Sequence, residues 1–361
     1  GTAYIVLSLG QDHCVYAFKD GNLVKSAQIS ADGSHGCGSP SIDADGNVYA
    51  YAGSGGSGAF KKFSADLTAQ WSAKFWAKGD GTPAPKMWYG YPIVIGDNVL
   101  VSNAGTTGTT GFVSKTDGSR VSYMTSGEGG GPSGGCRQAP AVSKSGEVWQ
   151  VCAANGIAHT TVKALSNPGG VAYDWMYNEI GGNTLKSSTD SPECAVVSVD
   201  GKDWLARCFT PEGLNARIVL VDATGETCKL FEIDEINTSA KCTASQDQGG
   251  VIVGAQNEVI VNLKSTGAGL DGGIVALNPS TMQLAWEYRI GEDVTGAAAL
   301  TKEGNVVFGT DKGSFFVVKP DYTTKKASLV AKANVNDLVR TALSGTEAMN
   351  IKMWSSVTVG D

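Results

Sequence analysis

One pattern recurs along the whole chain: a short apolar run, a polar turn, then a second apolar run. The first runs are Ser39-Pro40-Ser41-Ile42, Tyr91-Pro92-Ile93-Val94, Ala139-Pro140-Ala141-Val142, Glu193-Cys194-Ala195-Val196, Gly249-Gly250-Val251-Ile252, Gly296-Ala297-Ala298-Ala299 and Arg340-Thr341-Ala342-Leu343. Their second residues fall at 40, 92, 140, 194, 250, 297 and 341, in steps of 52, 48, 54, 56, 47 and 44. Second runs follow at Gly46-Asn47-Val48-Tyr49, Asp97-Asn98-Val99-Leu100, Gly146-Glu147-Val148-Trp149, Asn257-Glu258-Val259-Ile260 and Gly304-Asn305-Val306-Val307. Third and fourth runs complete the repeat, as in Ile274-Val275-Ala276-Leu277, the turn Asn278-Pro279-Ser280-Thr281 and Leu284-Ala285-Trp286. A repeat of this kind is one supersecondary unit that cannot bury its apolar face alone, so neighbouring repeats must stack.

Four short strands in roughly 50 residues is the period of a propeller blade. The spacing predicts an all-β chain, a β-propeller of about seven four-stranded antiparallel blades. At the start, Ala3 to Leu7, Val15 to Phe18 and Leu23 to Ser26 read as second, third and fourth strands. The missing first strand is then supplied by Leu338 to Leu343, so pairing of the two termini closes the ring and removes an exposed edge. Eight blades is the competing count, because Asn350 to Trp354 and Val357 to Val359 can begin another. Residues 1–344 read as one domain and 345–361 as a strand-like tail.

These repeats resemble the PQQ-like repeats of the quinoprotein dehydrogenase-like propellers. The resemblance rests on the second strands Gly46 to Tyr49 and Gly304 to Val307, on Leu277-Asn278-Pro279-Ser280-Thr281, and on Trp286 in the strand that follows. Trp71 and Trp175 hold the same place in their repeats, while Tyr123, Phe231 and Lys326 hold it in others. The resemblance implies the fold; its family holds both PQQ-dependent dehydrogenases and cofactor-free scaffolds, so it does not imply an activity.

Composition narrows the classes. With 17% charged residues, a net charge of −7 and a pI of about 5.1, the chain lacks the basic face a nucleic-acid partner needs. No apolar run reaches the ~18 residues of a membrane span. The first residues already read as strand, as in a processed, mature chain. The eight cysteines, Cys14, Cys37, Cys136, Cys152, Cys194, Cys208, Cys228 and Cys242, form sequence-adjacent couples without a CxxC, which favours disulfides and an oxidising compartment over zinc or haem. Cys194 and Cys208 are equidistant from Gly201, so a hairpin there predicts that they face each other. Buried thiols in a reducing compartment are the alternative.

The channel mouth is where a propeller of this family would carry a ligand. The register places Glu193 and Arg340 there, nearly opposite each other, as a carboxylate and a guanidinium for a polar ligand or as two solvated rim residues. Trp88, Tyr89 and Tyr91 enter one blade as an aromatic cluster that would stack on a sugar or a cofactor, or pack between blades. No residue is assigned a catalytic or metal-binding role. The vicinal Cys-Cys pair of the alcohol-dehydrogenase branch is absent, His35 sits alone in a Gly-rich loop, and Asp43-Ala44-Asp45-Gly46-Asn47 fails as a calcium loop because its twelfth position is Ser54. Asn237-Thr238-Ser239 is a glycosylation sequon.

A non-catalytic, secreted or cell-surface (or periplasmic) propeller therefore fits best. It needs no cofactor and acts through protein partners or self-association, with a filament or layer as one form. The tail 345–361 either completes its own blade or adds a strand to another subunit. The alternatives are a PQQ- and calcium-dependent sugar or alcohol dehydrogenase and a carbohydrate-binding or lyase propeller.

Overall fold

A computed structural model describes residues 2–9, 12–19, 22–31, 40–52, 59–73, 92–102, 110–125, 139–152, 156–185, 194–209, 217–232, 243–244, 250–265, 272–334 and 336–337. The chain divides into two compact units, Gly1–Glu179 and Ile180–Val359.

The first unit opens with the antiparallel meander β1 (Thr2–Leu9), β2 (Asp12–Lys19) and β3 (Asn22–Ser30). A four-stranded meander follows: β4 (Ser41–Ile42), β5 (Val48–Ala52), β6 (Ala59–Phe63) and β7 (Ala69–Ala73). Next come β8 (Ile93–Ile95), β9 (Asn98–Ser102) and β10 (Thr110–Ser114), with β11 (Ser122–Thr125) beyond. The last sheet of the unit orders β12 (Ala141–Val142), β13 (Glu147–Cys152), β14 (Gly156–Thr161) and β16 (Trp175–Tyr177). Between its final two strands the chain makes one helical turn, α1 (Val162–Leu165), capped by the Thr161 hydroxyl, and then β15 (Gly169–Ala172). β15 pairs in parallel with β11, a departure from the simple meander that the repeat predicts. Leu165 anchors this excursion among Leu100, Phe112 and Val148.

A short pair, β17 (Glu179–Ile180) and β18 (Asn183–Thr184), precedes the meander β19 (Cys194–Val199), β20 (Lys202–Phe209), β21 (Arg217–Asp222) and β22 (Cys228–Glu232). After β23 (Thr243–Ala244) come two further meanders. They are β24 (Val251–Val253), β25 (Val259–Lys264), β26 (Gly272–Asn278), β27 (Gln283–Ile290), and β28 (Val294–Leu300), β29 (Val306–Thr310), β30 (Ser314–Asp321), β31 (Lys326–Asn334).

Successive sheets within each unit stack face to face. Period-2 alternation sends Val48, Ala50 and Ala52 of β5 towards Val15, Ala17 and Ile29, while Tyr49 and Tyr51 point the other way, to Val99, Val101 and Val113. In the second unit Val259 and Val261 pack on Val197, Ala206 and Ile218, and Ile260 faces Val306 and Phe308. Burial on both faces explains why the inner strands read as unbroken apolar runs rather than as alternation.

A β-bulge recurs on the outermost strand of several meanders. Ala17 pairs with Lys25 but Phe18 with Leu23, which leaves Val24 extra. Gln70, Ala285 and Val330 are left extra in the same way opposite β6, β26 and β30. Each bulge adds twist and re-aims the residue that follows it. Trp71 and Trp286 follow two of them: Trp71 donates to the Lys115 carbonyl at 3.0 Å and Trp286 to Glu258 Oε1 at 3.1 Å. Trp71 lies so close to Gly118 that a Cβ there would stand 2.7 Å from its ring, and Gly118 also has φ +74°.

Candidate functional site

Trp88, Tyr89, Tyr91, Glu193 and Arg340, the residues expected at the channel mouth, lie outside the described residues, as do His35, Cys37, Cys136, Cys242, Asn237 and the tail. The backbone of Cys152 is described within β13. Cys14 and Cys228 carry thiols. Burial pushes the Cys228 thiol up to about 11, against the pull of Arg217. The expected facing of Cys194 and Cys208 does not occur. Asp200 and Gly201 form a two-residue turn with φ 52° and 77°, which sets Val199 opposite Lys202 and hence Cys194 opposite Arg207. Cys208 is one residue on and points to the other face of the hairpin.

Two buried carboxylates, Asp43 and Glu258, hold turns together. Asp43 accepts the backbone N–H of Asp45 and of Asn47 at 3.0 and 2.8 Å and the Tyr49 hydroxyl at 2.9 Å, with Lys115 Nζ at 3.6 Å. Burial would raise its pKa, but these donors and the ammonium outweigh burial and hold the carboxyl at about 2. Glu258 performs the same task from four residues later in its turn. It accepts from Gln256 N at 2.8 Å, Trp286 Nε1 at 3.1 Å and the Tyr322 hydroxyl at 2.6 Å. Gly254, which stands where Asp43 does, makes room: a Cβ there would lie 2.1 Å from the Glu258 carboxylate.

A third carboxylate enters an aromatic column. Trp149, His159 and Trp175 are cross-strand partners on β13, β14 and β16. The His159 ring stacks on Trp175 at 5.3 Å, and Tyr177 stacks on Trp175 at 5.2 Å. His159 Nε2 is 2.9 Å from Glu147 Oε2. Its Nδ1 lies 3.2 Å from Asp174 Oδ2, in ion-pair range but off the hydrogen-bond line. The sequence reading missed this column because it needs the register of three strands at once.

The column reaches the surface at Tyr177 and its neighbour Met176, 43% and 39% exposed. Other exposed large apolar residues are Leu23 and Val24 of β3, at 55% and 62%, Ile42 of β4, at 50%, and Leu329 and Val330 of β31, at 49% and 54%. Six of these seven lie on the last strands of their meanders, Ile42 being the exception, and Val24 and Val330 are bulge residues.

Asp43, Glu147 and Glu258 already accept protein donors, and no group of three or more His, Cys, Asp and Glu among the described residues could hold a metal. Nor is any described helix long and apolar enough to cross a membrane.

No protein-family model matches the chain, and no curated protein matches it in sequence. Solved structures do. BamB from Moraxella catarrhalis aligns with a TM-score of 0.55 at 14% identity, over 93% of this chain and 90% of that one. The quinohemoprotein alcohol dehydrogenase ADHIIG from Pseudomonas putida HK5 gives 0.58 at 14%, over 92% and 66%. The computationally designed protein Ika8 gives 0.60 at 12%, over 99% and 88%. At these identities the likeness speaks to architecture alone. With its stacked antiparallel meanders, the chain has the β-propeller fold, similar to that of BamB and of the quinoprotein alcohol dehydrogenases.

Proposed function

We propose that this chain is a non-catalytic propeller that acts at the cell surface or in the periplasm through its outer edges, binding protein partners or further copies of itself. One observation carries this reading: the large apolar side chains exposed among the described residues concentrate on outermost strands. Such strands present unpaired N–H and C=O groups, and exposed apolar residues on them supply area for a partner. The buried carboxylates, by contrast, are occupied as hydrogen-bond acceptors. The role calls for no cofactor. The ring is taken to have seven blades closed by pairing of 338–343 with β1.

Negative-stain electron microscopy beside size-exclusion chromatography with light scattering tests the role. Ordered fibres or layers, or a mass that grows with concentration, are expected. A monomer near 37.3 kDa at every concentration overturns self-assembly. Alkylation of the native protein followed by mass spectrometry tests the compartment, since eight reactive thiols after unfolding without reductant would rule out an oxidising one.

A further inference from the structure

We infer that self-association is head-to-tail, with β31 of one copy docking on the 174–179 strip of another; this rests on the assembly reading above. The two surfaces are complementary in both charge and apolar area. Across 322–334 the only charged residues are Lys325, Lys326 and Lys332, and they flank the exposed Leu329 and Val330. Across 164–185 the only charged residues are Asp174 and Glu179, and they flank the exposed Met176 and Tyr177.

Both strands have an open side. Among the described residues, 327–334 pair only with β30, because β27 meets β31 at the single pair Glu287 and Lys326. Among the described residues β16, too, pairs with β14 alone. Tyr177 has Trp175 stacked at 5.2 Å on one face of its ring, and its 43% exposure leaves area for an aliphatic residue or a lysine stem. Lys332 already shows this behaviour, with Nζ 4.7 Å from the centre of the Phe316 ring.

Charge decides between a symmetric and a directional contact. β31 against a second β31 sets lysine on lysine, and the bulge at Val330 spoils flat strand pairing there. The strip against itself sets carboxylate on carboxylate. Only the mixed contact brings opposite charges together, and a contact between two different surfaces of the same chain propagates into an open polymer unless its rotation closes a ring. The exposed Leu-Val pair on β3 carries a single lysine, Lys25, 3.6 Å from Asp66, against three along β31, of which Lys326 lies beside Glu287 and Lys332 3.9 Å from Glu292 while Lys325 adds a third positive charge.

Two variants test the contact. One carries Leu329→Ser with Lys332→Gln, the other Tyr177→Lys with Glu179→Lys, all at exposed positions. Each alone is expected to raise the concentration for assembly by at least about tenfold. Mixed together they should form a one-to-one pair and stop, because only one intact surface remains on each. The milder Glu179→Gln should weaken assembly and flatten its salt dependence, which covers the case in which a double variant folds poorly. Assembly of either double variant as in the wild type, or a mixture that does not pair, overturns the contact and leaves the assembly reading standing. A wild-type chain that stays monomeric overturns the assembly reading itself.

Discussion

At the scale of single residues, Asp43 ties charge to stability. Its carboxyl sits at about 2 in the folded chain against 3.8 for the free side chain. The group is depressed on folding, so its stabilisation is fully present above pH 4 and is lost as the pH falls towards 2. The difference corresponds to something on the order of 2 kcal/mol. Urea unfolding of the wild type and Asp43→Asn should differ most near pH 6 and converge on acidification; a gap independent of pH would show that the carboxylate charge is not what holds the turn. Backbone strain gives a second case. Leu67 and Lys325 share the left-handed conformation, with φ 59° and 57°, at the turn before an outermost strand. Lys325 is exposed, so Lys325→Gly should stabilise by about 0.5 kcal/mol through relief of the αL penalty net of chain entropy. Leu67 is buried against Val48 and Phe63, so Leu67→Gly should destabilise by roughly 2–5 kcal/mol. The contrast separates backbone from packing and is read from denaturant midpoints.

At the scale of elements, the staple built by Gly254, Glu258, Trp286 and Tyr322 ties the turn before β25 to β27 and to the loop before β31. Trp286→Phe removes one donor and should cost about 1–2 kcal/mol. Gly254→Ala pushes the carboxylate away from the same donors and should cost about 1–3 kcal/mol. Because both act on one hydrogen bond, the double variant should fall short of the sum by about 1 kcal/mol, and strict additivity in a thermal-melt cycle would dissolve the staple. The sequence made the strands legible for a simple reason: Gly46, Gly146, Asn257 and Gly304 mark the turns whose φ they supply, and the apolar runs between them are long enough to be strands. The bulges were not legible, because Gln70 or Ala285 becomes extra only once the partner strand is in register. The Glu258 substitution for Asp43 was hidden as well, since the two carboxylates occupy different positions of the turn. Tyr177 and Val330 are unremarkable letters in the sequence, and only the strand order marks them as exposed.

At the scale of the whole molecule, the repeat count and the strand order of the first sheet pose the question of closure. β1, β2 and β3 form a three-stranded antiparallel sheet, which the sequence reads as the second, third and fourth strands of a blade. Among the described residues β1 pairs with β2 alone. An eight-residue strand with one unpaired side would leave alternate amides open to solvent, whereas a first strand supplied by 338–343 would bond them. Hydrogen exchange on the full chain and on a chain ending at residue 337 separates the two. Closure predicts that β1 amides exchange slowly in the full chain and at least about tenfold faster after truncation, while β5 and β29, which have strands on both sides, change little. Equal exchange of β1 in both chains would mean that the ring is not closed by the terminal strand and that the sheet edge at β1 is open to a partner. Either result also bears on assembly, because an edge bonded within the molecule is lost to intermolecular pairing and leaves β31 and β16 to carry the contact.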